Sequence, residues 1–495
     1  MRATIATRSV GRNDGFARTG LRFAARSGVV ALLALALSAC LQTTREASKL
    51  APASMKAPDL SPGTAINREH ERITAAYGGV FRDPGAEKTI ARITGRLVAA
   101  SDRPSQSYQI TILNSPVVNA FALPGGYLYV TRGLLALAND TSEVAAVLSH
   151  EIAHVTARHA SARRRRMKNQ EFASRVVESI VDERSKAEAL AISQRTFAKF
   201  TQQQEFEADR RGIRTLAKAG YDPYAAARFL TSMARFSGYK TARGNTHGGV
   251  DFLSSHPSTP ARVREAVRIA RASNAPGIGE RDKGTFLNEI DGLVYGHDPS
   301  EGIVRGRTFL HKRLRIRFTV PPGFRVENTA KAVLATNGSG TAMRFDGTEF
   351  EAGTSMEDYL KSGWVNGLIT SSVKKITHRG LDAAIGSAAA DGWSFRLVAV
   401  RLRGSIYRFI FASRLPNAAF ERAFNATWQS FRPITRAEAN SLRPLSIRVV
   451  KAGSDLARTY GRMGGSERPR QLFETLNGLA PGEKVKPGTP VKVIR

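Results

Sequence analysis

The sequence predicts an α+β protein built of several domains. Three observations carry that expectation: the 495-residue length, too great for one ordinary core; helical periodicity in the first half; and strand alternation in the second. In the first half, the apolar run Glu143 to Leu148 continues through His150 and His154 as one buried helix, with Thr141 or Ser142 as its expected N-cap. In the second, Leu314, Ile316, Phe318 and Val320 alternate with Arg313, Arg315, Arg317 and Thr319, the pattern of a half-buried strand.

His150-Glu151-Ile152-Ala153-His154 carries the chemistry. Residues four apart on a helix share a face, so both imidazoles can bind one metal while Glu151, one step around, reaches a water on it. Zinc takes neutral imidazole nitrogens at about 2.0–2.1 Å, and a hydrolytic site stops at three protein ligands so that water keeps the fourth position. The ion lowers the pKa of that water to about 7, and a neighbouring carboxylate removes its proton as it attacks a carbonyl. Glu151 is the expected base. Taken alone the five residues also fit a helix with two solvated histidines, but histidines on a buried face need partners, and a metal is one.

A third histidine ligand would require a glycine at Ala157 and a histidine at Ala160; His159 is out of register by one and reads as a helix-surface residue or as a support for a ligand. Further along, Gln202 to Ile213 contains Glu205 and Asp209, four apart and so on one helix face. Glu205 can close a His150/His154/Glu205 ligand set, and Asp209 can orient a ligand histidine by accepting its free N–H. Glu207 is expected to point away, toward solvent.

The HExxH motif followed by ExxxD in a Glu-x-Glu-Ala-Asp context resembles the zinc metallopeptidases that include the CAAX prenyl proteases and the HtpX-type membrane proteases, and within them the soluble periplasmic branch. The resemblance covers residues 65–275 and implies a mainly helical zincin of the gluzincin type, with a small hairpin or sheet, one Zn2+ per chain and metalloendopeptidase activity. Two further stretches extend it. Asn119 to Gly126, running into Tyr127 to Leu134, reads physically as a hairpin over residues 117–131. The resemblance places this hairpin along the cleft, with Asn119, Ala120, Phe121 and Ala122 as an edge that binds extended substrate through the main chain; an ordinary core hairpin fits the same residues. Ser254-Ser255-His256-Pro257 to Arg262 resembles the His-Pro loop near the metal. His256 there either stabilises the oxyanion or fills the open zinc position as a fourth ligand, two opposed roles. Where relatives often carry Ser-Arg before the glutamate ligand, this chain has Thr201-Gln202, which leaves that arginine's role without a holder.

Six arginines and one aspartate precede the apolar run Val29 to Leu37 and then Ser38-Ala39-Cys40, the order of an export signal over residues 1–39. Leu37 to Cys40 resembles a bacterial lipobox, which implies that Cys40, the only cysteine, carries lipid. A single cysteine excludes an internal disulfide scaffold and a cysteine zinc site. Leu41 after it, rather than aspartate, points to the periplasmic face of the outer membrane of a Gram-negative bacterium. Residues 40–65 read as a tether. No other run of about 18 apolar residues occurs, so the membrane cage of the prenyl proteases is not expected.

The expected order is therefore a metallopeptidase domain at 66–275, a boundary near Ala272 to Gly279, an antiparallel α+β accessory domain at 285–432 and a small module at 443–495. In the accessory domain Asn337-Gly338 and Asp346-Gly347 read as turns, and 394–403 and 405–412 as strands about Gly404. Its histidines, His297, His311 and His378, have no ligand spacing. The last segment, a strand from Ile447, a helix at Leu472 to Leu479 and a closing strand after Lys486-Pro487-Gly488, resembles a LysM peptidoglycan-binding module.

The formal charge is +32, of which the leader's six arginines and one aspartate account for five. Such a field favours anionic partners; with an export signal and no nucleic-acid motif, lipid and cell-wall polymer fit better than nucleic acid. Arg163 to Arg166 read as the solvated end of the metal helix, where cations complement the dipole, or as a grip on such a surface. The sequence thus points to a periplasmic zinc endopeptidase for unfolded or misassembled envelope proteins, and the resemblance implies quality control of outer-membrane protein assembly, although the tetratricopeptide repeats common in close relatives are not visible. The alternative is an envelope binding scaffold or holdase with a latent peptidase site plugged by His256.

Overall fold

Local capping chemistry sets where the first helices begin. Asp83 accepts from the Ala86 N–H and Pro84 takes the first helical position, starting α2 (Pro84–Ala100) after α1 (Ala65–Ala76). In the computed structural model, residues 65–123, 125–163, 200–242, 252–329, 332–338, 340–349, 353–464, 466 and 468–495 are described. The export signal, Cys40, nearly all of the tether and Arg164 to Arg166 lie outside them.

Strands β1 (Gln109–Leu113), β2 (Ala120–Leu123) and β3 (Tyr127–Thr131) form a sheet of order β1-β3-β2. β1 runs parallel to β3, while β2 and β3 form the expected antiparallel hairpin, with Ala120 opposite Val130. β2 is the outer strand. The chain passes directly from β3 into α3 (Arg132–Leu137) and then α4 (Thr141–Thr156), which carries both histidines of HExxH.

Asp140, rather than Thr141 or Ser142, caps α4: its Oδ1 accepts from the Glu143 N–H at 2.9 Å. The aspartate prevails because its carboxylate also meets two cations, Arg228 at 3.1 Å and Arg281 at 2.9 Å, in a position with no solvent access. α5 (Gln202–Lys218) begins at a capping box between Thr201 and Gln204. α6 (Ala225–Ala242), α7 (Phe252–Ser255) and α8 (Pro260–Ser273) follow, the last capped by Thr259. α4 and α5 cross in close contact at Gly212, where a Cβ would lie 3.1 Å from the His150 nitrogen.

The core of this half does not stop at residue 275. α9 (Lys283–Glu289) contributes Phe286 and Leu287, and the C-terminal segment contributes Ile447, Leu472, Phe473, Leu476 and Val493 to the hydrophobic cluster that holds Val144 and Leu148 of α4. The last segment has the order strand, helix, helix, strand (Leu445–Lys451, Leu456–Tyr460, Pro469–Leu476, Pro490–Ile494), and its outer strands pair antiparallel. Lys492 explains the attachment. Its ammonium is fully buried and donates to the carbonyls of Ala136, Leu137 and Ala138 at 2.9, 3.0 and 2.6 Å, the open C-terminal end of α3.

Residues between these parts form antiparallel sheets. A seven-stranded sheet buries two faces: Val398, Val400, Phe409 and Phe411 pack toward helix Ala418–Gln429 and Phe318, while Leu397, Ala399 and Ile406 pack against Met356 and Leu360. The strands expected about Gly404 are Trp393–Leu402 and Ser405–Ser413. Asn337-Gly338 lies in a turn, but Asp346-Gly347 does not. Both residues lie inside strand Thr341–Glu349, where Gly347 faces Tyr407 and a Cβ would sit 3.4 Å from that ring. The fold is therefore α+β, with a helical N-terminal region and several antiparallel sheets.

Candidate metal centre

Two helices and one loop bring the site together. α4 supplies His150, Glu151 and His154, α5 supplies Glu205 and Asp209, and the turn between α7 and α8 supplies His256. The Nε2 atoms of His150 and His154 stand 3.0 Å apart. Glu205 places its carboxylate 3.5 Å from each of these nitrogens. Ligand atoms of His150, His154, Glu205 and His256 all lie within 4.8 Å of one another, the group among the described residues able to hold a metal ion.

The surrounding groups leave those atoms ready for a cation. The Nδ1 of His150 donates to Asp209 Oδ1 at 2.9 Å, which leaves Nε2 as the atom turned to the centre, where a metal would displace its proton. Burial opposes a charge on His150, but the carboxylates of Asp209 and Glu205 outweigh it and raise its pKa to about 9. For Glu205, burial works against ionisation, yet His150 and His256 hold its carboxyl well below the usual range. His154, deeply buried beside the other imidazoles, is pushed well below the ordinary histidine value. The Glu205 carboxylate set between two imidazole nitrogens, the neutral imidazole of His154 and a buried Glu151 Oε1 that accepts no hydrogen bond fit a divalent ion with nitrogen and oxygen ligands.

Each residue singled out in the sequence can now be placed. Glu151 is buried beside His150 and Glu205, with its carboxyl pushed up by burial and held by the backbone N–H of Ala122 in β2. That bond sets the edge of the hairpin, Asn119 to Ala122, against the face of α4 that carries Glu151. His256 bonds Glu205 Oε1 through Nδ1 at 2.8 Å and lies 3.8 Å from Glu151 Oε1 through Nε2. Phe252 stacks on its ring at 4.5 Å between centroids, and Phe200 lies 4.2 Å from the His154 ring and 5.2 Å from that of His256.

Two features, Arg262 and Phe200, escaped the sequence reading. Arg262 grips Asp209 with two hydrogen bonds of 2.8 Å, and its Nη1 lies 2.8 Å from Glu205 Oε2 and donates to the Pro257 carbonyl at 3.1 Å. One buried guanidinium thus ties both α5 carboxylates to the His256 turn; its place five residues after Pro257 gave no signal by itself. Phe200 precedes the α5 cap and carries no motif. Of the two places expected for His159, the structure shows the one beside a histidine rather than the surface: it is 4 % exposed and its Nδ1 meets Nδ1 of His154 at 3.0 Å. Glu207, expected in solvent, is partly exposed but pairs with His159 at 3.4 Å and Arg211 at 2.9 Å. Among the described residues of the accessory sheets, His311 accepts from the Leu314 N–H and His378 bonds the Phe431 carbonyl, both ordinary structural roles.

Residues 84–270 match peptidase family M48. The chain is 30% identical over 258 residues to the beta-barrel assembly-enhancing protease of Yersinia pestis, covering 48% of this chain and 51% of that one. It is 35% identical over 202 residues to a putative beta-barrel assembly-enhancing protease of Vibrio cholerae, covering 39% and 40%. It is also 27% identical over 176 residues to the mitochondrial metalloendopeptidase OMA1 of Schizosaccharomyces pombe, covering 36% and 50%. The chain spans about half the length, or less, of these curated relatives. Among the described residues no helix is long and apolar enough to cross a membrane.

Proposed function

We propose that this chain, whose residues 84–270 match peptidase family M48, is a zinc-dependent endopeptidase of the bacterial envelope that cleaves unfolded or misassembled envelope proteins. The carrying observation is the convergence of His150, His154 and Glu205 on one point, with Glu151 beside them and Asp209 fixing the His150 tautomer. The names of the bacterial relatives support the envelope setting and the substrate class. The export signal and lipobox-like Cys40 support a periplasmic protein anchored by lipid to the outer membrane.

His150, His154 and Glu205 would hold the ion, which when bound would supply Lewis-acid chemistry for a water and the scissile carbonyl. Glu151 takes the proton from the attacking water and returns it to the leaving amine; its buried carboxyl, raised above the ordinary glutamate value, suits that exchange. β2 receives the extended substrate through backbone hydrogen bonds along Asn119 to Ala122, because it is the outer strand and touches Glu151 through Ala122. Main-chain recognition needs an unfolded segment and reads little sequence. Asp209 orients His150, and Arg262 holds Asp209 and Glu205 in register.

His256 lies inside the ligand group, against Glu205, which favours the role of a fourth ligand that keeps the site closed until substrate displaces it. Residues 285–432 are either a module for recruiting substrates or partners or a stabilising appendage, and the strand-helix-helix-strand order of the 443–495 segment supports its LysM likeness and with it peptidoglycan binding. The same closed site favours a second reading, an envelope scaffold whose peptidase centre stays plugged.

Casein cleavage by the zinc-loaded protein separates these readings. Loss of cleavage in Glu151→Gln with a gain in His256→Ala is the expected result. Loss in both makes His256 catalytic, and no cleavage by any form despite bound zinc favours the scaffold.

A further inference from the structure

His159 stands five residues beyond His154. On a continuous helix that separation places the two side chains about 140° apart, facing different neighbours. The chain does not continue as a helix. α4 ends at Thr156, Arg158 adopts a left-handed backbone with φ of 55°, and a new helical turn starts at His159, with the Arg158 carbonyl accepting from Ser161 and Ala162. A left-handed conformation at a residue with a long side chain is uncommon and costs energy, so it marks a position where the surrounding structure demands the turn. The turn swings His159 back over α4, where it is buried against His154.

The contact has a defined direction. Two Nδ1 atoms 3.0 Å apart require one N–H and one lone pair. The Nε2 of His154 faces the Nε2 of His150 and the Glu205 carboxylate, so a metal takes its lone pair there and the proton of His154 resides on Nδ1. His159 Nδ1 is then the acceptor, its own proton sits on Nε2, and that N–H points at Glu207 Oε2, 3.4 Å away. Glu207 in turn is held by Arg211 at 2.9 Å, and Arg211 by Asp102 at 3.0 Å. His150 reaches a carboxylate directly, whereas His154 reaches one through an imidazole.

We propose that His159 is a positioning residue that fixes the tautomer and ring orientation of His154 for metal binding, with Glu207 fixing His159. The inference rests on the metal-site reading above and goes beyond it by assigning the group that makes the second histidine a ligand. His159 does not touch substrate or the reacting atoms.

The test is Zn2+ affinity of the full chain, measured by competition with a chromophoric chelator, together with the visible spectrum of the Co2+-substituted protein. His159→Leu is expected to weaken Zn2+ binding by about 10- to 100-fold and to change the Co2+ bands. His159→Gln, whose amide oxygen can accept the same N–H, is expected to keep most of the affinity, and Glu207→Gln to lose less than His159→Leu. Zn2+ affinity of His159→Leu within about twofold of wild type with an unchanged Co2+ spectrum overturns the proposal, given the usual size of such support. So does a His159→Gln variant as impaired as His159→Leu. A wild-type chain that binds no Zn2+ overturns the metallopeptidase reading as well, which distinguishes the two failures.

Discussion

Arg262 holds Asp209 by both carboxylate oxygens, Nε to Oδ2 and Nη2 to Oδ1, each at 2.8 Å and shielded from water. The same guanidinium meets Glu205, so one cation offsets two buried carboxylates before any metal is bound. Arg262→Met leaves both with imidazole partners alone and is expected to lower stability by about 3–5 kcal/mol in urea unfolding. Arg262→Lys recovers only part of this, since an ammonium cannot make the paired contact.

Gly212 lets α5 approach α4 at the metal-binding end. A Cβ there would stand 3.1 and 3.2 Å from the nitrogen and Cα of His150, backbone atoms that cannot swing aside. Gly212→Val is expected to cost about 1–3 kcal/mol by overpacking and to move Glu205 and Asp209 away from His150. Lower Zn2+ stoichiometry together with a lower unfolding midpoint is the outcome to look for.

Much of this centre is legible in the sequence because a helix repeats its face every three to four residues: His150 and His154 on one helix, and Glu205, Asp209 and also Gly212 on the other. Gly212 shares that spacing, seven positions after Glu205, but a glycine carries no chemistry that would single it out. Arg262 was not readable, since its bond to Asp209 joins residues 53 positions apart. For His159 the sequence left two places open, the helix surface or beside a ligand, and the left-handed backbone at Arg158 is what turns it onto His154. Asp346-Gly347 misled for a different reason. Asp-Gly is a favoured hairpin pair, but here the alternation of buried Met343 and Phe345 carries the strand through it, and Asp346 anchors Arg344 and Arg408 instead.

Lys492 binds the C-terminal strand to the element that leads into the metal helix. Its pKa is pushed down to about 7 by burial, against the pull of Glu143. Lys492→Met fills similar volume but leaves the carbonyls of Ala136, Leu137 and Ala138 short of donors, with an expected loss of about 1–3 kcal/mol. Thermal unfolding of the whole chain checks this. A single shifted transition is expected, because the C-terminal segment and α4 share one core.

His311 predicts acid sensitivity in the accessory sheets. Burial, with help from Arg313, lowers its pKa to about 4, and its Nδ1 accepts from the Leu314 N–H, a bond that protonation breaks. Above about pH 6.5 the imidazole is neutral in both folded and unfolded chains and has no effect on the pH slope. As pH falls from 6.5 toward 4, the unfolded chain takes a proton that the folded chain refuses, so stability is lost in that window, on the order of 3 kcal/mol at most. His311→Asn, which retains an acceptor without titrating, is expected to flatten the fall between pH 6.5 and 4 in urea unfolding.

Metal content of the purified chain tests the central claim most directly. The wild type and Glu151→Gln are expected to bind one Zn2+ per chain, with His154→Ala and Glu205→Gln losing it and Glu151→Gln unable to cleave casein. Zinc retained at full stoichiometry and affinity by both ligand variants, or cleavage retained by Glu151→Gln, would contradict the account.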